Sequence, residues 1–232
     1  FIMAVSFRFI AKKQKLKAGG SVSKKRIFNL IKDSSPLIIS GGIVLLYMKV
    51  DQLMLGYIIN NEEVGIYAAA TRLSEAWYII GLTLIGSYFP KLLCVLKENG
   101  EDVFYKKIVE MARPLVWSAI FLSIVIMMIA EPLIQFVYGA EFTRSAQVLL
   151  ITIWAVPFVY LGAISTKIYI NNSQAHLVLL RSISGLLLNI LLNLLFISKL
   201  GAVGAAIGTL VAQIGACYIF NIFTKNKTVF LL

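Results

Sequence analysis

What this sequence has least of is charge. Of its 232 residues only 14% are charged, while 59% belong to the hydrophobic set; an ordinary soluble domain is ~25% charged and ~45–50% apolar. A chain so composed cannot cover a core with polar surface, so lipid must be part of its solvent. Disordered, collagen-like, coiled-coil and disulfide-scaffold classes are excluded on the same grounds. Acidic residues are the scarcer sign, 11 against 22 Lys and Arg, giving a net charge of +11. Cysteine is nearly absent: Cys94 and Cys217 sit far apart inside apolar runs and fit no metal-ligand spacing. The one histidine, His176, has no second ligand beside it, so no metal and no cofactor is expected. No nucleotide-binding loop, nucleophile elbow or carboxylate pair in a soluble cleft occurs, which argues against an enzyme.

The basic residues that are present gather in short segments between long apolar stretches. That placement marks the cytoplasmic loops of a polytopic membrane protein. It excludes a nucleic-acid partner, which would require one basic face with interleaved aromatics.

Residues 1–10 are too short to cross a ~30 Å hydrocarbon core, which takes ~20 residues. Their lysines follow rather than precede the apolar run, unlike a signal peptide. They are expected to be the cytoplasmic end of a helix whose beginning is absent. Residues 11–35 form a basic cytoplasmic loop. Within it, Ile27, Leu30 and Ile31 share one helical face, which suits either a short helix on an anionic leaflet or a solvated loop.

Six spans are expected next, over 36–59, 64–84 (with helix continuing towards Leu96), 114–130, 146–168, 176–196 and 203–223, with a cytoplasmic tail at 224–232. Ser34 or Ser35 is the expected N-cap of the first, with Pro36 at its first helical position. Asn60 to Glu63 read as an outer turn, 97–113 as a cytoplasmic loop and 131–145 as the longest outer segment. Lys167, Arg181, Lys225 and Lys227 are assigned to inner loops; charge and parity together put both ends in the cytoplasm, so Asn171-Asn172-Ser173 and Asn226-Lys227-Thr228 are not read as glycosylation sites.

Polar residues inside the spans carry the functional signal. Lys49 and Asp51 in the first span, and Arg72 and Glu75 in the second, flank a hairpin turning near Asn61. Counted from that turn, Asp51 matches Arg72, about 15 Å deep, and Lys49 matches Glu75 slightly deeper. Intramembrane charges either pair or face water. The four therefore either neutralise one another or line an aqueous cavity for a charged or sugar-rich substrate. In the fifth span Ser182, Gly185, Asn189 and Asn193 form a small, polar stripe that must face protein, for interhelical bonding or a cavity. In the sixth, small residues from Gly201 to Ala216 recur at steps of three or four, allowing close helix approach.

Several stretches are similar to one family. Residues 48–56 (MKVDQLMLG) with 64–75 (VGIYAAATRLSE) resemble the bacterial lipid-linked oligosaccharide flippases, the O-antigen and capsule repeat-unit translocases of the MATE-like multidrug/oligosaccharidyl-lipid/polysaccharide superfamily. So do Pro132-Leu133-Ile134 through Tyr138-Gly139 with Glu141-Phe142, Leu180-Arg181 through Asn189 and Asn193, and 201–206 (GAVGAA). The resemblance implies an all-α polytopic membrane protein, here the six-helix C-terminal lobe of a twelve-helix transporter in the bacterial inner membrane. It further implies alternating-access flipping of a polyprenyl-diphosphate-linked oligosaccharide, with membrane lipid, the missing N-terminal lobe and polysaccharide polymerase machinery as partners.

Lys49 and Arg72 would then contact diphosphate or acidic sugars. Asp51 and Glu75 would orient them or couple transport to protons or sodium, and Asn189 and Asn193 complete the cavity candidates. A MATE-type drug/cation antiporter, a membrane-embedded polymerase or glycosyltransferase, and a non-transporting scaffold are the alternatives.

Overall fold

The computed structural model describes residues 24–223, with side chains described from Ser35 and from 38 to 222. The expectations for 1–10, for most of the basic loop and for the tail at 224–232 lie outside the described residues. Two units are distinguished, 1–36 and 37–232; the core and the polar sites all belong to the second. Every regular element among the described residues is helical.

The helices are α1 (Lys24–Ile58), α2 (Asn61–Tyr138), α3 (Ser145–Thr152), α4 (Ala155–Asn171), α5 (Ala175–Ile214) and α6 (Phe220–Phe223). A 3-10 turn, Ala140–Phe142, precedes α3, and a π-helical turn, Gly215–Ile219, joins α5 to α6. Four of these stretches are long and apolar enough to cross a membrane. Two of the four are not straight. Gly100 (φ +82°) interrupts α2 and Gly201 (φ +56°) interrupts α5, and only glycine adopts that left-handed region without a steric penalty.

The chain reverses at both glycines. Phe89 and Phe104 have ring centroids 6.4 Å apart, whereas fifteen residues of straight helix span about 22 Å. Across Gly201, a Cβ on Gly204 would strike the Phe196 carbonyl, one on Gly208 the Asn193 side chain, and one on Gly185 that of Ala216. These contacts run outward symmetrically from the turn, so 175–200 and 202–214 form a hairpin. The described chain thus comprises six helical segments: 37–58, 61–99, 101–138, 145–171, 175–200 and 202–223. It is an all-α, multi-pass membrane protein. The small-residue ridge of the last segment lies against the 175–200 arm, where the missing side chains let the two backbones touch.

Boundaries differ from the sequence expectation in one consistent way: helices run further. α1 is already helical at Lys24, so Pro36 is interior and neither Ser34 nor Ser35 caps it. α2 continues through Pro90, Pro114 and Pro132 to Tyr138, so 97–113 is helical on both sides of Gly100 and 131–138 is not a loop. A proline removes one backbone donor and bends a helix, but neighbouring turns can carry it onward. Pro157 shows how the freed group is satisfied. It cannot donate to the carbonyl of Ile153, where the helix between α3 and α4 is broken; that carbonyl accepts instead from the Val156 N–H at 3.2 Å and from the buried Ser123 hydroxyl at 3.1 Å.

The core follows the apolar faces of these segments. Leu55, Ile108, Ile134, Val148, Leu149, Ile153, Val156, Ile197, Ala205 and Ala206 are fully buried. Large apolar side chains such as Leu45, Trp117, Phe121 and Phe136 cover the outside, as a lipid-facing surface requires.

Candidate functional site

Asp51 is 2% exposed. Its Oδ2 accepts from Tyr67 Oη at 2.7 Å and from Thr209 Oγ1 at 2.8 Å; its Oδ1 accepts from Asn193 Nδ2 at 2.5 Å. Asn193 also donates to Asn189 Oδ1, and Asn189 Nδ2 to Thr209 Oγ1, both at 3.3 Å. Tyr47 donates to the Thr209 carbonyl at 3.1 Å. One network therefore joins α1, α2 and both arms of α5. The asparagine stripe read from the sequence lies inside the lobe, with Asn189 and Asn193 at 0% exposure. Its bonds are interhelical, though the Oδ1 of Asn193 has no hydrogen-bond partner.

The hydroxyls pose a counting problem. Tyr67 and Thr209 both donate to Asp51 Oδ2, yet their oxygens are also 3.0 Å apart. Each hydroxyl has one hydrogen. With an ionised carboxylate, three contacts share two hydrogens, and one oxygen pair meets lone pair to lone pair.

The depth matching of charges is corrected. Asp51 forms no ion pair with Arg72, nor Lys49 with Glu75; the ion pairs among the described residues are Lys107–Glu110 and Arg144 with Glu62 and Glu63. The count from Asn61 had the turn too late. Asp51 lies opposite Tyr67 and Gly56 opposite Val64. The same register carried inward puts Arg72 near the level of Lys49, with Glu75 about one turn deeper. Lys49 and Arg72 are exposed and Glu75 is half-buried. The fields of both cations reach the Glu75 carboxylate, although neither cation is within salt-bridge distance of it. The six candidates therefore separate into an inward set (Asp51, Asn189, Asn193) and an outward set (Lys49, Arg72, Glu75).

Two further polar centres were not singled out from the sequence. Arg181, assigned there to an inner loop, is 8% exposed and donates to the Gly162 carbonyl, to Ser165 Oγ and to Thr166 Oγ1. The signal was available: Arg181, Gly185, Asn189 and Asn193 recur at four-residue steps, so they share one face. Glu63, assigned to a turn, is 7% exposed; it accepts from Arg144 Nη2 at 2.5 Å and from the Ala202 backbone N–H at 2.7 Å. Its own N–H is capped by Asn60 Oδ1 at 2.9 Å. No local sequence pattern links residues 63, 144 and 202. Among the described residues, no cluster of three His, Cys, Asp or Glu side chains could hold a metal ion.

Comparison with known proteins agrees with this architecture. Residues 1–93 match the family model described as polysaccharide biosynthesis protein. The chain is 23% identical over 194 residues to the probable low-salt glycan biosynthesis flippase of Haloferax volcanii, covering 84% of this chain and 40% of that protein. Among solved structures it superposes on a MOP superfamily transporter from Pyrococcus furiosus, whose binding pocket of reverse polarity suggests a different function for that protein. The TM-score is 0.65 at 15% identity, covering 85% of this chain and 44% of that one. The chain thus spans less than half the length of these relatives. It is a multi-pass membrane protein with the fold of part of a MOP superfamily transporter, similar in sequence to polysaccharide-biosynthesis and flippase proteins.

Proposed function

We propose that this chain is one six-helix lobe, the C-terminal one, of a flippase that moves a polyprenyl-diphosphate-linked oligosaccharide across a bacterial inner membrane by alternating access. Both ends of the chain are cytoplasmic on this reading, and a second lobe supplies the rest of the cavity. The observation that carries it is the exposure of Lys49 and Arg72. Each lies about 14–17 Å along its helix from the turn at residues 59–60, near the middle of a ~30 Å hydrocarbon layer. A bare cation at that depth is expensive against lipid and faces protein or water instead. The face of α1 and α2 that bears them therefore lines an aqueous cavity. Two cations against one carboxylate suit an anionic ligand, since phosphate is attracted strongly where the dielectric is low. A cationic drug would be served by the reverse balance.

Asp51 acts differently on this reading: it holds α1, α2 and α5 together beneath the cavity wall. Coupling of transport to protons or sodium through Asp51 or Glu75 is part of the same reading. The short connection between Tyr138 and Ser145 leaves little room for a catalytic domain of a polymerase or glycosyltransferase, which supports transport over synthesis.

The test uses the full-length protein in a strain lacking its own copy. Lys49→Ala and Arg72→Ala should each abolish surface glycan and leave lipid-linked precursor on the cytoplasmic leaflet, at unchanged protein level. Normal glycan in both variants would refute the cavity assignment.

A further inference from the structure

We infer that Glu63 is a clasp that locks one end of the helical bundle into a single body throughout the transport cycle; the cycle itself rests on the reading above. Three connections converge on this one carboxylate: the α1–α2 turn that carries it, the α2–α3 connection through Arg144, and the α5 hairpin through the Ala202 N–H. Those connections terminate all six helical segments at that end. Gly201 is part of the device. Its positive φ reverses α5 there, and a Cβ at that position would meet Glu63 Oε2 at 2.5 Å, so only glycine lets the N–H of Ala202 come up to the carboxylate.

At the opposite end, no hydrogen bond or ion pair among the described residues brings three connections onto one side chain. There Arg181 ties α5 to α4 alone, and Tyr169 ties α4 to Asn221 of α6. On this inference, relative motion of helices takes place away from the Glu63 end. Glu63 is a positioning residue and touches no substrate.

Two measurements on the full-length protein test this. The first is hydrogen–deuterium exchange of the purified protein in Glu63→Ala and Glu63→Gln. In Glu63→Ala, amides in 139–149 and 200–206 should both exchange roughly tenfold faster or more, since local opening controls exchange, while 164–170 is unchanged. Glu63→Gln keeps an acceptor for Ala202 but loses the charge facing Arg144, so only 139–149 should quicken. Acceleration of one segment alone in Glu63→Ala, of neither, or of the whole chain, would overturn the clasp. The second is an oxidised Glu63→Cys/Ala202→Cys pair in a Cys94→Ser background. Export within twofold of the reduced form is expected, because this end does not open. Export blocked by oxidation and restored by reduction would show that it opens, against the proposal. Exchange does not depend on transport, so failure of the unmutated full-length protein to restore surface glycan, together with the expected exchange pattern, would count against the transport reading and not against the clasp.

Discussion

Lys49 and Asp51 lie two residues apart on α1 and live in different solvents. Asp51 is turned into the lobe and satisfied by three neutral donors. Lys49 is turned out, with no carboxylate in ion-pair range among the described residues. The same division runs through α2, where Tyr67 points inward and Arg72 outward. Two residues on a helix differ by about 200° in phase, so adjacent polar positions face opposite ways. An intramembrane charge is therefore no single kind of signal. Turned inward and hydrogen-bonded, it organises helices; turned outward and unpaired, it requires water or a partner surface.

The outward set should fail most visibly at Arg72. Arg72→Ala should abolish export with no loss of inserted protein, and Arg72→Lys should recover only part, because a point charge replaces a planar fork. Quantitative blotting of membranes alongside surface glycan checks both halves of that statement.

Asp51→Leu should do the reverse. It removes the acceptor that three groups share; the Asn193 amide keeps Asn189 and one hydroxyl of the Tyr67–Thr209 pair can donate to the other, so one hydroxyl is left unsatisfied at about 1–3 kcal/mol. Membrane abundance should fall several-fold, and purified protein should lose thermal stability in detergent. An unchanged melting temperature would mean that the inward network contributes nothing to the fold.

Ser123 extends the inward case to a neutral group. Ser123→Ala removes one of two donors to the Ile153 carbonyl and leaves the Val156 N–H; it should cost about 0.5–1.5 kcal/mol, read as a lower midpoint in thermal unfolding, with export per molecule unchanged. Pro157→Ala in the same background should recover stability by restoring the backbone donor.

At the small end stands Ser173, which holds φ +57° at the close of α4, with Gln174 N–H bonded to the Tyr169 carbonyl. That is the position helices prefer to give glycine. Ser173→Gly should stabilise by about 0.5–1 kcal/mol from relief of left-handed strain, seen as a slightly higher unfolding midpoint. It should leave both polar sets unaffected.

Much of the fold was legible in the residues, and the site less so. The six helical segments and their hairpin order follow from apolar run length, and the burial of Asn189 and Asn193 follows from the cost of amides in lipid. Helix ends were misjudged at Pro36, Pro114 and Pro132, where bundle packing carries the helix past a residue that would stop it in a soluble protein. The pairing of Asp51 with Arg72 failed for a geometric reason. A displacement of the turn by about one and a half residues is doubled across a hairpin and becomes nearly a full helical turn. Arg181 was misplaced because a basic residue near a loop reads as part of that loop, whereas its four-residue spacing from Gly185 puts it on the buried face. Glu63, Arg144 and Ala202 are joined only by tertiary structure, which no local pattern encodes.

The division between inward and outward charges meets its hardest test when Asp51→Leu and Arg72→Ala are combined in the full-length protein, with membrane abundance and surface glycan compared with both single variants. The two residues make no ion pair, so removing Arg72 leaves no uncompensated charge for the loss of Asp51 to relieve. The double variant is predicted to have the low abundance of Asp51→Leu and the absent export of Arg72→Ala, with the two effects adding independently. Recovery of wild-type abundance in the double variant would mean that Asp51 and Arg72 neutralise each other inside the membrane, and would contradict the account.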